Sequence, residues 1–400
     1  MSSSQDVRYR ELDALRGLAA CSVVLGHFSA AYVNETDVWH GSKLGLLKYG
    51  VTVMFTAGHQ ALLLFFLLSA FVFSLPAVNN KPQSYPVFLT RRILRIYVPY
   101  LAGLALAVLG NLCWHGPLGL TRWADHTWAQ PVHWRPVLHH ILFLGQYDQA
   151  QFNTAFWTLV IEMRISIVFP LLCYIVLRVR PWISIASAIA ISIGATYFQI
   201  KVGYNAYELT LNIAGYFVIG ILLARYRTRL IAWAAGLSRG VGALYLAAAL
   251  LVYWYGALTI QVIAKVLLHV HNPRLLGLDW ACGIGAVLLI IMSLGYAPLS
   301  RVLLARFPQF LGKIFYSVYL VHGTVLFALL HALSGRLPPA AIFLIYIPTV
   351  LLLSTIMYSL VEKPSMEFGR RITRPRPVLI KPAIDSEAFV HLDDGATKLR

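Results

Sequence analysis

RYRELDALRGLAACSVVLGHFS, residues 8–29, sets two polar groups, Arg16 and His27, inside an otherwise apolar helical run. Eleven residues apart, they return to within about 20° of one helix face and lie roughly 16 Å apart along the axis. They share a stripe. A charged side chain well inside a membrane helix costs at least ~2.5 kcal/mol, so it usually faces a bundle interior or watery cavity and marks a functional path. The alternative is an arginine snorkelling from near the helix end and a hydrogen-bonded structural histidine.

The rest of the chain supplies the membrane. Of 400 residues, 58% are apolar and only 12% charged, with a mean hydropathy of +0.68, too apolar for a soluble domain. The run from Leu12 is a retained first span, not a cleavable signal: it stays apolar for about twenty residues, carries an arginine and lacks a small-x-small cleavage site. Windows long enough to cross a bilayer fall at 12–32, 51–75, 96–114, 155–177, 182–200, 209–224, 240–258, 278–296, 310–330 and 340–360. Residues 259–270 are either an interfacial helix or a fragment of an eleventh span.

With both termini in the cytoplasm, Lys81, Arg91, Arg92, Arg95, Arg178, Arg180, Arg225, Arg227, Arg229, Arg239, Arg301 and Arg306 all fall inside, as the positive-inside rule requires. An odd number of spans would break that alternation. The expected architecture is an all-α polytopic transmembrane helix bundle of about ten spans. A membrane-embedded domain covers residues 1–364, and a mostly disordered cytoplasmic tail covers 365–400. The net charge of +17 then orients loops and meets anionic lipid of the bilayer, and does not imply nucleic acid. Cys21, Cys113, Cys173 and Cys282 show no metal or redox spacing. The long external connection, 115–154, carries His115, His126, His133, His139 and His140 among Trp123, Trp128 and Trp134. Lacking H-x-x-x-H or paired cysteines, it predicts no metal site; it reads as an aromatic interfacial loop that contacts an acceptor or lids a cavity.

Three further stretches carry candidate chemistry. In YPVFLTRRILRIYVPY (85–100), Arg91 and Arg95 are i, i+4 and Arg92 and Arg95 are i, i+3, so three cations gather at the inner end of the third span. They form either an anion clamp or a topogenic cluster. In AFWTLVIEMRISIVFPLL (155–172), Glu162 is expected at the depth of His27, where a carboxylate would fix the imidazole tautomer and make it a better proton acceptor. Arg164 lies about 200° round that helix and points elsewhere. In FLGKIFYSVYLVHGTVLF (310–327), Tyr319 and His322 line one stripe, whereas Ser317 points about 140° away from His322.

These pieces together resemble the acyltransferase family 3 integral membrane proteins over residues 8–364. The matching segments are LDALRGLAACSVVLGH (12–27), FFLLSAFVF (65–73), FLTRRILRIYVPY (88–100), FWTLVIEMRISIVFP (156–170), FLGKIFYSVYLVH (310–322) and VEKP (361–364). The resemblance implies a bacterial inner-membrane O-acyltransferase. It would move an acyl group, often acetyl, from a cytoplasmic acyl-CoA such as acetyl-CoA to a hydroxyl of a carbohydrate or other acceptor, lipid-linked ones included. It needs no bound cofactor or metal. The family's essential first-helix pair falls on Arg16 and His27, and its arginine motif on Arg92 and Arg95 with Arg91 beside them. CoA phosphates would meet those arginines, His27 would act as general base, Glu162 would orient it, and Ser69, Tyr319 and His322 are candidates for lining the cavity. Two departures stand out. Ala70 replaces the glycine of the family's LSGF, which predicts a looser helix contact. Some relatives carry an extracytoplasmic hydrolase-like domain after the spans, whereas here only a short tail is expected, leaving completion of the transfer to the membrane unit or a separate partner. The rival class is a proton-coupled transporter or exporter, which uses the same buried Arg, Glu and His but no acyl donor. A non-catalytic scaffold would be indifferent to loss of His27.

Overall fold

The computed structural model describes residues 8–33, 52–143, 145, 147–203, 206–266 and 278–374. Among them every regular element is helical. The helices are α1 (Arg10–Tyr32), α2 (Gly58–Val78), α3 (Tyr85–Cys113), α4 (Trp134–Leu142), α5 (Phe156–Arg178), α6 (Pro181–Val202) and α7 (Ala206–Ala235). They are followed by α8 (Arg239–Val266), α9 (Leu278–Gly295), α10 (Ala297–Leu303), α11 (Arg306–Leu333), α12 (Pro339–Met357) and α13 (Lys363–Ile372). Nine of these are long and apolar enough to cross a bilayer, and α9 with α10 makes a tenth if the pair, bent by 89°, counts as one span. Gly295 and Pro298 bracket that bend, where proline favours the first turn of a new helix over continuation of the old one. We term the end of the bundle at which α1 starts basal and the opposite end distal.

Three elements depart from the hydropathy windows. α7 runs through Arg225, Arg227 and Arg229, because charge stops a hydropathy window without stopping a helix: Arg227 donates to the Ala224 carbonyl at 2.8 Å and Arg225 to the Val176 carbonyl at 3.5 Å. Residues 259–266 simply prolong α8 and begin no new element; residues 267–277 lie outside the described residues. The stretch expected to be disordered from residue 365 is helical at its start. There α13 lies against α3, with Ser365 donating to the Leu94 carbonyl and Arg91 Nε donating to Thr373 Oγ1 at 2.8 Å. Residues 375–400 lie outside the described residues.

α11 is the most deeply buried of the candidate spans. It packs on α1 and α12, α1 also packs on α2, and α2 packs on α7, with α3 and α5 completing a ring around the centre. α6 and α8 present Ile, Leu, Val and aromatic side chains outward, as a lipid-facing surface requires. The α1–α11 crossing brings backbone onto backbone at Gly17 and Gly312. A Cβ on Gly312 would lie 2.5 Å from the carbonyl carbon and oxygen of Asp13, and one on Gly17 would strike Gly312 and Leu311 in turn. Close approach of this kind is how small residues hold membrane helices together. Gly312→Val should yield no folded protein, and Gly312→Ala should lower the thermal midpoint in detergent, since overpacking costs about 1–3 kcal/mol or more. An unchanged midpoint for Gly312→Ala contradicts the crossing.

The looser contact expected at Ala70 does not occur. Gly220 of α7 faces it, and a Cβ there would come within 2.6 Å of both the Ala70 methyl and the Leu67 carbonyl. The glycine that close packing requires is on the partner helix.

Candidate active site

At the centre of the ring, between α1, α2, α3, α5 and α11, is a narrow cavity of about 50 Å³ whose lining includes Arg16, Ser69, Arg92, Arg95, Glu162 and Tyr319. That is room for a few waters or a thin chain. Arg16 is buried, donates to the Leu68 carbonyl at 2.9 Å and pairs with Asp13 at 3.2 Å, so it does not snorkel. The Arg92 guanidinium carbon sits over the Phe73 ring, 3.5 Å from its centroid, a favourable cation–π seat. Glu162 is the one carboxylate of the lining. It accepts from the Ser69 hydroxyl at 3.2 Å and stands 4.0 Å from Arg92. Asp13 offsets Arg16 and Glu162 offsets Arg92, so with Arg95 the three guanidiniums still outnumber the paired carboxylates in a partly dry cavity, and that excess favours an anionic guest.

Of the three clustered arginines, Arg92 and Arg95 line this cavity, whereas Arg91 is turned away to Thr373 on α13. The three guanidiniums that share the cavity are therefore Arg16, Arg92 and Arg95, and Arg91 is not among them. Glu162 is likewise displaced from the expected place beside His27, and its partners are Ser69 and Arg92. The cause is the start of α5. Residues Phe152 to Phe156 are buried, and Asn153 donates to the Leu320 carbonyl (2.9 Å) and Thr324 (3.3 Å) of α11. The chain descends into the bundle before the helix begins, so Glu162 sits more basal than a count from the span end implies. Arg164, on the other face as expected, donates to the Gly145 carbonyl at 2.7 Å and lies over the Tyr207 ring.

Thr158 and Glu162, four residues apart on α5, share one helix face, and Thr154 lies in the turn just before the helix. Thr158 faces Tyr319, with their hydroxyl oxygens 2.7 Å apart. Thr158 gives its own proton to the Ala155 carbonyl at 2.9 Å, so Tyr319 is the donor of the pair. One turn distal, past this contact, are the histidines. His27 Nδ1 lies 2.9 Å from His322 Nε2 and 3.1 Å from Thr154 Oγ1. His322 is fully buried, and its Nδ1 lies 3.0 Å from the Val318 carbonyl. Arg16 lines the cavity, but His27 and His322 lie beyond its Tyr319–Thr158 end. Ser317 points away from them and donates to the buried Glu362 at 2.6 Å. Glu362 belongs to a π-helical turn, Tyr358–Glu362, a distortion frequent at functional sites.

The loop between α3 and α5 covers the distal end. Trp123 packs 5.0 Å from the His27 ring, and Thr121 donates to the Ala30 carbonyl at 2.8 Å. Among the described residues no group of three or more His, Cys, Asp or Glu converges to hold a metal ion. His140, on α4, is buried against Tyr147, Phe152 and Phe156 and lies 2.8 Å from the Tyr100 hydroxyl. Burial pushes its pKa down from the ordinary 6.5 to about 4. Between those values the unfolded chain binds a proton that the folded chain refuses. The stability supplied by neutral His140 is therefore complete above pH 6.5 and lost as pH falls toward 4, about 3 kcal/mol in all. Amide exchange across residues 134–156, corrected for intrinsic rates, should rise on going from about pH 7 to about pH 4.5. Equal protection at the two pH values contradicts this.

A family described as "Acyltransferase domain" matches residues 9–359. No curated protein sequence and no solved structure matches the chain.

Proposed function

Because the chain belongs to acyltransferase family 3 and is a membrane acyltransferase, we propose that it takes the acyl group, acetyl foremost, from an acyl-CoA and delivers it to a hydroxyl of a carbohydrate or other cell-envelope acceptor. The observation that carries this is one narrow cavity lined by Arg16, Arg92 and Arg95, separated from a paired histidine by a single hydroxyl contact. The arginines suit the phosphates of CoA, where charge-assisted contacts are strongest. The pantetheine arm would run along this cavity toward the histidines. The basal side would be cytoplasmic, consistent with its arginines, and the membrane that of a bacterial cell.

In this scheme the thioester passes the Tyr319–Thr158 contact and meets the acceptor beside His27. His27 takes the hydroxyl proton as oxygen attacks the thioester carbonyl. An ester C–O bond forms, the C–S bond breaks with its electrons passing to the CoA sulfur, and His27 returns the proton to that thiolate. Glu162, one turn basal of Thr158, balances the charge of Arg92 and orders the cavity rather than the base.

A proton-coupled exporter is the alternative, and it predicts cargo without acyl transfer. Mass spectrometry of envelope glycans and lipids from cells with and without the gene tests the choice. Acyl groups on a hydroxyl-bearing acceptor that vanish with the gene support transfer; unmodified acceptor that merely accumulates inside supports export.

A further inference from the structure

The Val318 carbonyl fixes the proton of His322, and His322 in turn fixes that of His27. A carbonyl oxygen can only accept, so the contact between His322 Nδ1 and the Val318 carbonyl, at 3.0 Å, places a proton on Nδ1 of His322. A second proton on Nε2 would make a cation at a fully buried ring to which, among the described residues, no carboxylate is hydrogen-bonded, a costly arrangement. Nε2 of His322 is therefore a lone pair. It lies 2.9 Å from Nδ1 of His27, which must be the donor, with the Thr154 hydroxyl at 3.1 Å as a second acceptor for the same N–H. His27 then carries its proton on Nδ1 and keeps the lone pair on Nε2.

We propose that His322 is a positioning residue that holds His27 in this tautomer, making Nε2 the nitrogen that receives the acceptor's proton; the inference rests on His27 being the general base. Ring orientation in metal and acyl-transfer sites is commonly fixed through the second imidazole nitrogen in the same way. A neutral acceptor differs from a carboxylate in one useful respect. It fixes the tautomer without strongly stabilising the imidazolium, so the proton can be released again to the thiolate. The support is layered: the Tyr346 hydroxyl reaches the His322 carbonyl at 3.4 Å, and Asn153 ties the start of α5 to α11.

The test uses the full-length protein labelled with ¹⁵N-histidine in membranes, with the His27 signals identified by their loss in His27→Ala. Wild type should show a protonated Nδ1 and an unprotonated Nε2 on His27. An Nε2–H tautomer on His27 overturns the proposal while leaving His27 free to be the base. In His322→Leu the tautomer should shift, and kcat should fall about 10²-fold or more, with both KM values unchanged. His322→Gln, whose side-chain oxygen can accept from Nδ1–H, should recover most of kcat and the wild-type tautomer. A Gln variant as inactive as His27→Ala with the tautomer intact overturns the positioning role, because His322 would then touch the reactants itself. Full activity in His27→Ala would instead refute the underlying assignment of the base.

Discussion

His27→Ala is expected to lower acyl transfer by about 10²- to 10⁴-fold, the range a general base supplies, with the protein present at normal levels in the membrane. The imidazole is not a packing element of the size whose loss unfolds a bundle: it is half-buried and lies at the loop-covered distal end. The loss should fall on kcat, because the base acts in the transition state and not in holding the donor. Donor KM should stay near the wild-type value, since the cavity that includes the arginines ends at Tyr319 and Thr158, short of His27. Wild-type turnover in His27→Ala would remove the chemical core of the proposal.

Arg92→Ala combined with Arg95→Ala is expected to do the opposite, raising the donor KM and leaving the acceptor KM alone. A hydrogen bond to a charged group is worth about 1.5–3 kcal/mol, so each arginine that meets a phosphate should change donor KM by roughly ten- to a hundredfold. Part of the loss will come from Glu162. Removing Arg92 takes away the cation 4.0 Å from that half-buried carboxylate and leaves it Ser69 as its hydrogen-bond partner, and a partly desolvated charge that loses its nearest counter-ion is costly. Arg92→Ala with Glu162→Gln should therefore be less impaired than Arg92→Ala alone. Arg91→Ala serves as a control, because its guanidinium contacts Thr373 and lines no part of the cavity. An unchanged donor KM in the double variant refutes the clamp.

Much of this geometry is visible in the chain itself. Hydropathy and the alternation of arginines locate the crossings, because lipid-facing backbone must be helical and apolar. What hydropathy misses are the places where helix and hydrophobicity part company. α7 continues through three arginines, and α13 forms after a π turn that no period of 3.6 anticipates. Arg16 and His27 stand out as costly residues on one stripe. Thr158 is overlooked because threonine is unremarkable in a membrane helix, although its four-residue spacing to Glu162 marks the face, and Thr154 is overlooked because it lies in the turn before α5. The depth of Glu162 could not be read from the end of its span, since Asn153 draws the chain inward before α5 starts. Spacing alone also cannot say whether Arg91 or Arg92 joins Arg95. Both choices fit one side of a helix, and the packing of α13 decides between them.

The transfer should be sided, with donor taken from the arginine side and the acyl group delivered past Tyr319 to the histidine side. CoA is too highly charged to cross a bilayer, so acetyl-CoA labelled in its acetyl group can be added to inside-out and right-side-out membrane vesicles carrying the protein and its native acceptor. Label should enter acceptor material in inside-out vesicles, vanish with His27→Ala, and be absent from intact right-side-out vesicles. Equal labelling of sealed vesicles of both orientations would contradict it.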